Sequence, residues 1–260
     1  MATYNISFAG AGNVAVSLCA GLKAAGHRIV SVTSRGGDSA RALAASTGAR
    51  VIKDLTAPDE CDIFILAVTD TAIPEIASKI VLPEKTILVH TAGSVPLSAL
   101  GRKVNTGVFY PLQTFTKGFP PDLGKVPFFV EATDDRTLRI LRELGVSIGA
   151  GAWDCDTEQR KKLHVAAVFA NNFSNFMMTT GEVIAAGAGF DQSLLTPLIE
   201  ETGRKAVRKG PEMAQTGPAV RHDDSTVKSH IDLLSFMPDY QELYRLISEM
   251  ISAHYRKDTQ

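Results

Sequence analysis

Cysteine is scarce in this sequence. Its 260 residues hold only Cys19, Cys61 and Cys155, widely spaced and without a C-x-x-C pair. That spacing suggests neither a disulfide framework nor a structural zinc site, so no metal is expected. Long hydrophobic runs are missing too: no apolar stretch approaches the ~18 residues of a membrane span. The first strand-like run begins at about Tyr4, which leaves no room for a signal peptide. A cytoplasmic protein with three reduced, mostly buried thiols is the expectation. Nor is there an excess of one charge, since 27 basic residues face 28 acidic ones for a formal net charge of -1. The basic residues are scattered rather than striped, so neither nucleic acid nor a membrane surface is an expected partner.

What is present is an ordinary globular composition, 45% apolar and 21% charged, long enough for one large domain or two smaller ones. The stretch "ISFAGAGNVAVSLCAGLKAAGHRIVSVTSR" opens with an apolar run, Ile6 to Ala9, that ends in glycine. An amphipathic segment from Asn13 to Ala25 follows, and Gly26 closes it as a helix stop. "HRIVSVTS" is then β-branched and strand-like, completing a strand–helix–strand unit that must be parallel and right-handed. Alternation continues through the helical Asp38–Thr47, the apolar "CDIFILAV", a short helix in "TAIPEIASKI", and the strand-like "TILVHTAG" and "NTGVFYPLQTF". "VPFFVEA", the helical "DDRTLRILREL" and a last strand in "GVSIGAGAWD" finish the series. The expected fold class is α/β: a doubly wound, mostly parallel Rossmann sheet over 1–152, followed by an all-α domain over 153–260.

Gly10-Ala11-Gly12-Asn13-Val14-Ala15 fits the G-x-G-x-x-G/A dinucleotide fingerprint and stands in the required place, after a buried strand and opening a helix. The first glycine permits the tight turn and the second lets a pyrophosphate approach. The alanine keeps the helix close to the sheet. At the end of the second strand an NAD site usually carries a carboxylate, whereas here Ser34 and Arg35 stand in "VTSRGG". Arg35 offers planar donors to a 2′-phosphate, and Asp38 has an alternative role as a helix cap, so NADP(H) is expected rather than NAD(H). Val68 and Thr69 in "LAVTDTAI", and His90, Ala92 and Ser94 in "LVHTAGSV", follow buried strands and should border the cofactor. His90 and Ser94 are candidates for the nicotinamide and substrate end, though a satisfied strand-end histidine and a helix cap would explain them as well.

After Trp153 the strand signal stops. Asp156 or Thr157, followed by Glu158, begins a long helical stretch through "KKLHVAAVFANNF", where an imidazole and two amides interrupt a segment that otherwise reads as core. At 100° per residue, Asn171 and Asn175 lie about 20° to either side of His164. Phe169, Phe173 and Phe176 point elsewhere and are expected to carry the packing. The polar stripe is either a seam satisfied against another helix or one wall of a reaction cleft between the two domains. In the second case His164 would donate or accept a proton, and Asn171 and Asn175 would orient a small polar substrate. In "TGPAVRHDDSTVKSH", Arg221 either grips a substrate carboxylate or pairs with Asp223 or Asp224 at the start of a helix.

The segments "FAGAGNVA", "HTAGSVPLSAL", "YPLQTF", "KKLHVAAVFANNF" and "TGPAVRHDDSTVKSHIDLL" together resemble a bacterial family of Rossmann-like proteins with a C-terminal helical domain of unknown function. That resemblance implies a fold like the NADP-dependent reductases related to pyrroline-5-carboxylate, 6-phosphogluconate and ketopantoate enzymes. It also implies a homodimer formed through the helical domain. In several such relatives a lysine and an asparagine of the long helix flank the substrate. Here Lys161 and Lys162 precede His164, Asn171 and Asn172, which is not a one-to-one match. Tyr110 stands where the family pattern has histidine; a tyrosine can also donate a proton, with an ordinary pKa near ~10. The expected function is NADP(H)-dependent oxidation or reduction of a small carbonyl or imine compound. A non-catalytic dinucleotide sensor is the alternative. A methyltransferase is disfavoured by the tight glycine spacing and by Arg35.

Overall fold

The computed structural model describes residues 2–101, 104–149 and 151–256, and its contacts divide the chain into two compact units, Met1–Asn171 and Asn172–Gln260. The first unit is built on the alternation seen in the sequence. Continuous apolar runs give strands buried on both faces: β1 (Asn5–Ala9), β4 (Ile63–Leu66), β5 (Ile87–His90) and β6 (Thr106–Pro111). Between and around them come α1 (Asn13–Ala24), β2 (Arg28–Thr33), α2 (Gly37–Thr47), β3 (Arg50–Val51), α3 (Ile73–Lys79), β7 (Phe128–Ala132), α4 (Asp135–Ser147) and β8 (Ala152–Asp154). The eight strands form one sheet in the order β3-β2-β1-β4-β5-β6-β7-β8. Neighbours are parallel except at β6–β7. This is the doubly wound, mostly parallel sheet that the alternation implies. The edge strand β3 is the exception to its legibility, because both of its residues are exposed and carry no burial pattern.

Order reverses between β1 and β4, the point at which an open parallel sheet leaves a crevice beyond its strand ends. Apolar side chains fill both faces. Phe8, Leu18, Leu22, Val32 and Leu141 pack in one cluster, and Phe64, Leu66, Ile73 and Leu88 in the other. Cys19 and Cys61 are buried, and burial pushes their thiols up to about 12 and about 11, so they behave as small apolar groups. Helix α5 (Thr157–Ala167) completes the unit. Its N-terminus is a capping box: Asp156 accepts from the Gln159 amide at 2.7 Å, and the Gln159 side chain accepts from the Asp156 amide at 2.9 Å.

A π-helical segment, Val168–Phe173, follows α5 and spans the unit boundary. The second unit contains α6 (Ser174–Gly187), α7 (Thr196–Lys209), the single turn α8 (Pro211–Ala214), α9 (Asp224–Leu233) and α10 (Pro238–Tyr255). Among the described residues, no helix is long and apolar enough to cross a membrane. Phe169, Phe173 and Phe176, which can carry packing, are 62%, 49% and 49% exposed in the single chain. An apolar sequence run shows that burial is needed somewhere. It does not say that the chain supplies the cover itself.

The most deeply placed charge in the first unit is Arg160, whose side chain is wholly buried. It pairs with Glu131 of β7, donates to the Val95 carbonyl at 2.6 Å and reaches the Thr157 hydroxyl at 3.4 Å. His90, at the end of β5, is also wholly buried. Its Nδ1 accepts from the Ala92 amide at 3.2 Å. Burial, and then the positive charge of Arg160, push His90 down to about 3, against a smaller opposing effect of the Pro96 carbonyl. Its folded pKa therefore lies below the unfolded value, so the stability it contributes is complete above pH ~6.5 and is lost as pH falls toward 3. Between pH 7.5 and pH 5 this one residue should cost the fold about 2 kcal/mol. Urea unfolding of the wild type and of His90→Asn at both pH values checks this; an identical acid-side loss in the two proteins would disprove it.

Candidate functional site

The glycine-rich turn lies at the carboxyl end of β1, and its geometry explains its composition. Gly10 has φ 112°, and a Cβ there would stand 2.0 Å from the Ala67 carbonyl oxygen. No other residue fits that position. Gly12 is the N-cap of α1, and a Cβ added to it meets open space. No side chain caps this helix, and no acidic residue occupies its first turn. Free amide donors, the positive end of the helix dipole and an unobstructed approach make a cradle for a diphosphate.

A cleft of about 700 Å³ runs from this turn along the carboxyl ends of β1, β2 and β4. Gly10, Ala11, Gly12, Asn13, Val14, Ser34, Arg35, Val68 and Thr69, all named from the sequence, line it. Asn13 also donates from Nδ2 to the Phe115 carbonyl at 2.9 Å, fastening a loop that contributes Phe115 to the wall. Sequence reasoning missed Lys53, Glu75 and Lys79, which line the same cleft as Arg35. Glu75 and Lys79 pair at 2.6 Å one helical turn apart, and Lys79, with a smaller effect of Arg35, holds the Glu75 carboxyl below its ordinary range. Asp38 lies in the first turn of α2, pairs with Arg41 and does not line the cleft. The volume, the cradle and the basic lip fit a dinucleotide.

His90 and Ala92 do not face this cleft; both are buried, His90 completely. Ser94 is exposed and donates to Asp70, a carboxylate that follows the β4 strand and went unremarked in the sequence.

A second cluster forms where β5, β6 and α5 meet. The Tyr110 hydroxyl lies 3.1 Å from His164 Nδ1, with ring centroids 6.0 Å apart at 71°. Tyr110 is only 8% exposed, whereas His164 is half-buried. Burial pushes the Tyr110 phenol up, Arg160 partly offsets this and Asp70 adds to it. Gly93 makes the pairing possible, because a Cβ there would stand 2.7 Å from His164 Nδ1 and 2.8 Å from Tyr110 Cζ. The cluster thus offers one imidazole and one phenol in mutual contact.

The π segment needs an extra residue to complete each turn, so the shared stripe drawn through His164, Asn171 and Asn175 does not keep its phase. Asn171, Asn172 and Asn175 are exposed, and Asn175 belongs to the second unit. Lys161 pairs with Glu158 at 2.9 Å, and Lys162 is exposed. Arg221, in the second unit, is exposed two residues before Asp223. Asp223 caps α9, accepting from the Thr226 amide at 3.1 Å and from its hydroxyl at 2.7 Å.

Comparison with known proteins bears on both halves of the chain. Residues 5–93 match the family of NADP oxidoreductases described as coenzyme F420-dependent. Residues 126–251 match a domain of unknown function, DUF2520. No curated protein sequence matches the chain. Among solved structures, a candidate NADP oxidoreductase from Bacteroides fragilis is 37% identical with a TM-score of 0.89, the match covering 96% of this chain and 98% of that one. A Thermotoga maritima protein shares the fold at 22% identity, with a TM-score of 0.77 and coverage of 98% and 100%. A pyrroline-5-carboxylate reductase from Coxiella burnetii shares it at 19% identity, with a TM-score of 0.58 and full coverage of both chains.

Proposed function

Because the chain belongs to the family that joins an NADP oxidoreductase domain to a DUF2520 domain, we propose that it is an NADP(H)-dependent enzyme moving hydride to or from a small carbonyl or imine compound. The observation that carries this reading is the cleft over the glycine turn. There Gly10 has no room for a side chain, Gly12 is open, and Ser34 and Arg35 replace the carboxylate of an NAD site. Gly10, Gly12 and the first turn of α1 would hold the diphosphate. Ser34 and Arg35, with Lys53 close by on the same wall, would hold a 2′-phosphate through charge-assisted donors. When bound, the nicotinamide supplies or takes up the hydride. The chain's part is then to orient the reactants and to manage one proton, which this reading assigns to His164.

A homodimer belongs to the same proposal. Among the described residues of the second unit, only Ala219, Leu234 and Ser248 are buried. Phe190, Leu194, Leu198 and Phe236 are 61%, 65%, 63% and 71% exposed. Apolar surface on that scale needs a cover, and a second copy of the chain supplies one whose own surface has the same need.

Three outcomes are expected. In calorimetric titration NADPH binds more tightly than NADH, and Arg35→Ala weakens NADPH by about 10- to 100-fold while sparing NADH; equal affinities in the wild type would refute the NADP assignment. Once screening of small carbonyl and imine compounds yields a substrate, His164→Ala lowers turnover by about 10²-fold or more with NADPH affinity nearly kept. Unchanged turnover would remove His164 from the chemistry, and NADPH binding with no turnover of any compound would favour a sensor. Sedimentation equilibrium at micromolar concentration gives twice the mass of one chain, and a single-chain mass there sinks the dimer.

A further inference from the structure

We infer that Tyr110 is a positioning residue for His164: its phenol donates to Nδ1, holds the neutral imidazole as the Nε2–H tautomer, and so turns a hydrogen-bond donor toward a bound substrate. This inference rests on the proton role given to His164 above and adds a direction to it.

Tyr110 Oη and His164 Nδ1 are 3.1 Å apart, and that bond can be made in two ways. If Nδ1 carries the hydrogen, the phenol must accept, and its own hydrogen then needs another acceptor. The phenol is 8% exposed, and among the described residues its hydrogen bond to His164 is the only one it makes. An O–H on a side chain with so little exposure has little access to water, and leaving it without an acceptor is disfavoured. If instead the phenol donates and Nδ1 accepts, both groups are satisfied by one bond.

The neighbouring groups do not upset this assignment. Asp70 receives the Ser94 hydroxyl, and the Arg160 guanidinium is committed to Glu131 and the Val95 carbonyl. The contact is also built into the chain at a third place. Any side chain at Gly93 would fall 2.7 Å from Nδ1 and 2.8 Å from Tyr110 Cζ, so the pair exists only because residue 93 has none.

The chemical consequence follows from which nitrogen is left. An Nε2–H can stabilise the oxygen or nitrogen that gains electron density as a C=O or C=N bond is reduced. It has no lone pair with which to take the proton of an alcohol or amine. The neutral imidazole therefore presents a hydrogen-bond donor, and no proton acceptor, at Nε2.

The test needs neither substrate nor nucleotide. Long-range ¹H–¹⁵N correlation spectra of the full-length, ¹⁵N-labelled protein at alkaline pH report the tautomer of each imidazole. The His164 ring is identified by its disappearance in His164→Gln, or by backbone assignment should that variant fail to fold. The expected result is a pyridine-type shift at Nδ1 and a pyrrole-type shift at Nε2. In Tyr110→Phe, Nδ1 should move downfield, as an acceptor does on losing its donor, and the minor tautomer should grow by about tenfold. A pyrrole-type Nδ1 in the wild type overturns the inference without recourse to any variant, and so does an Nδ1 shift unchanged in a folded Tyr110→Phe. A parallel NADPH titration separates the two readings. Absent NADPH binding with the expected tautomer removes hydride transfer but keeps the pairing, whereas a pyrrole-type Nδ1 in a protein that binds NADPH does the reverse.

Discussion

The arrangement of Tyr110 and His164 is anchored by one buried ion pair. Arg160 reaches back from the first turn of α5 to Glu131 on β7 and to the carbonyl of Val95, beyond the end of β5. A helix held in this way at one residue is also fixed one turn later on the same face, and that residue is His164. The imidazole that meets Tyr110 thus stands one turn from a side chain anchored to Glu131 and to the Val95 carbonyl. Burying such a pair is costly, and its value here lies in registry rather than stability, because a well-packed apolar pair would hold the helix as firmly but leave its rotation less defined.

That charge also sets the electrical character of its surroundings. His90, lying near it in the core, stays neutral across the physiological range. The phenol of Tyr110, although burial raises its pKa, has the same positive charge working against that rise. Two aromatic groups at the ends of adjacent strands thus feel one guanidinium and end in different roles. The first is a sealed structural group, and the second is a donor at the edge of accessible space.

The sheet and the lining of the cleft over the glycine turn were legible in the sequence because their signals are local. A glycine that cannot carry a Cβ, an apolar run of strand length and a serine–arginine pair after a strand are each contained within a few residues. Lys53, Glu75 and Lys79 were not legible, since each reads as a solvated surface charge until the crossovers bring β3, β4 and α3 beside Arg35. Gly93 was passed over for the same reason: its neighbours, Tyr110 and His164, are 17 and 71 positions away. The stripe through His164, Asn171 and Asn175 failed on a finer point. Helical periodicity was assumed to be constant, and the six residues Val168–Phe173 wind more loosely than it allows. The exposed phenylalanines nearby show the other limit of pattern reading, for hydrophobicity records a need for cover without naming its source.

The lip of the nucleotide cleft has a consequence for how an anion is met. The molecule as a whole carries a formal charge of -1, yet Arg35, Lys53 and Lys79 face only Glu75 along that wall. The sign of the field therefore depends on distance. From afar a polyanion approaches a protein that is nearly neutral and faintly repulsive. Only within a Debye length, about 8 Å at physiological salt, does it feel the local surplus of positive charge. Attraction confined to so short a range does little to hasten encounter; it acts only once contact begins, on whichever anionic group reaches that one corner.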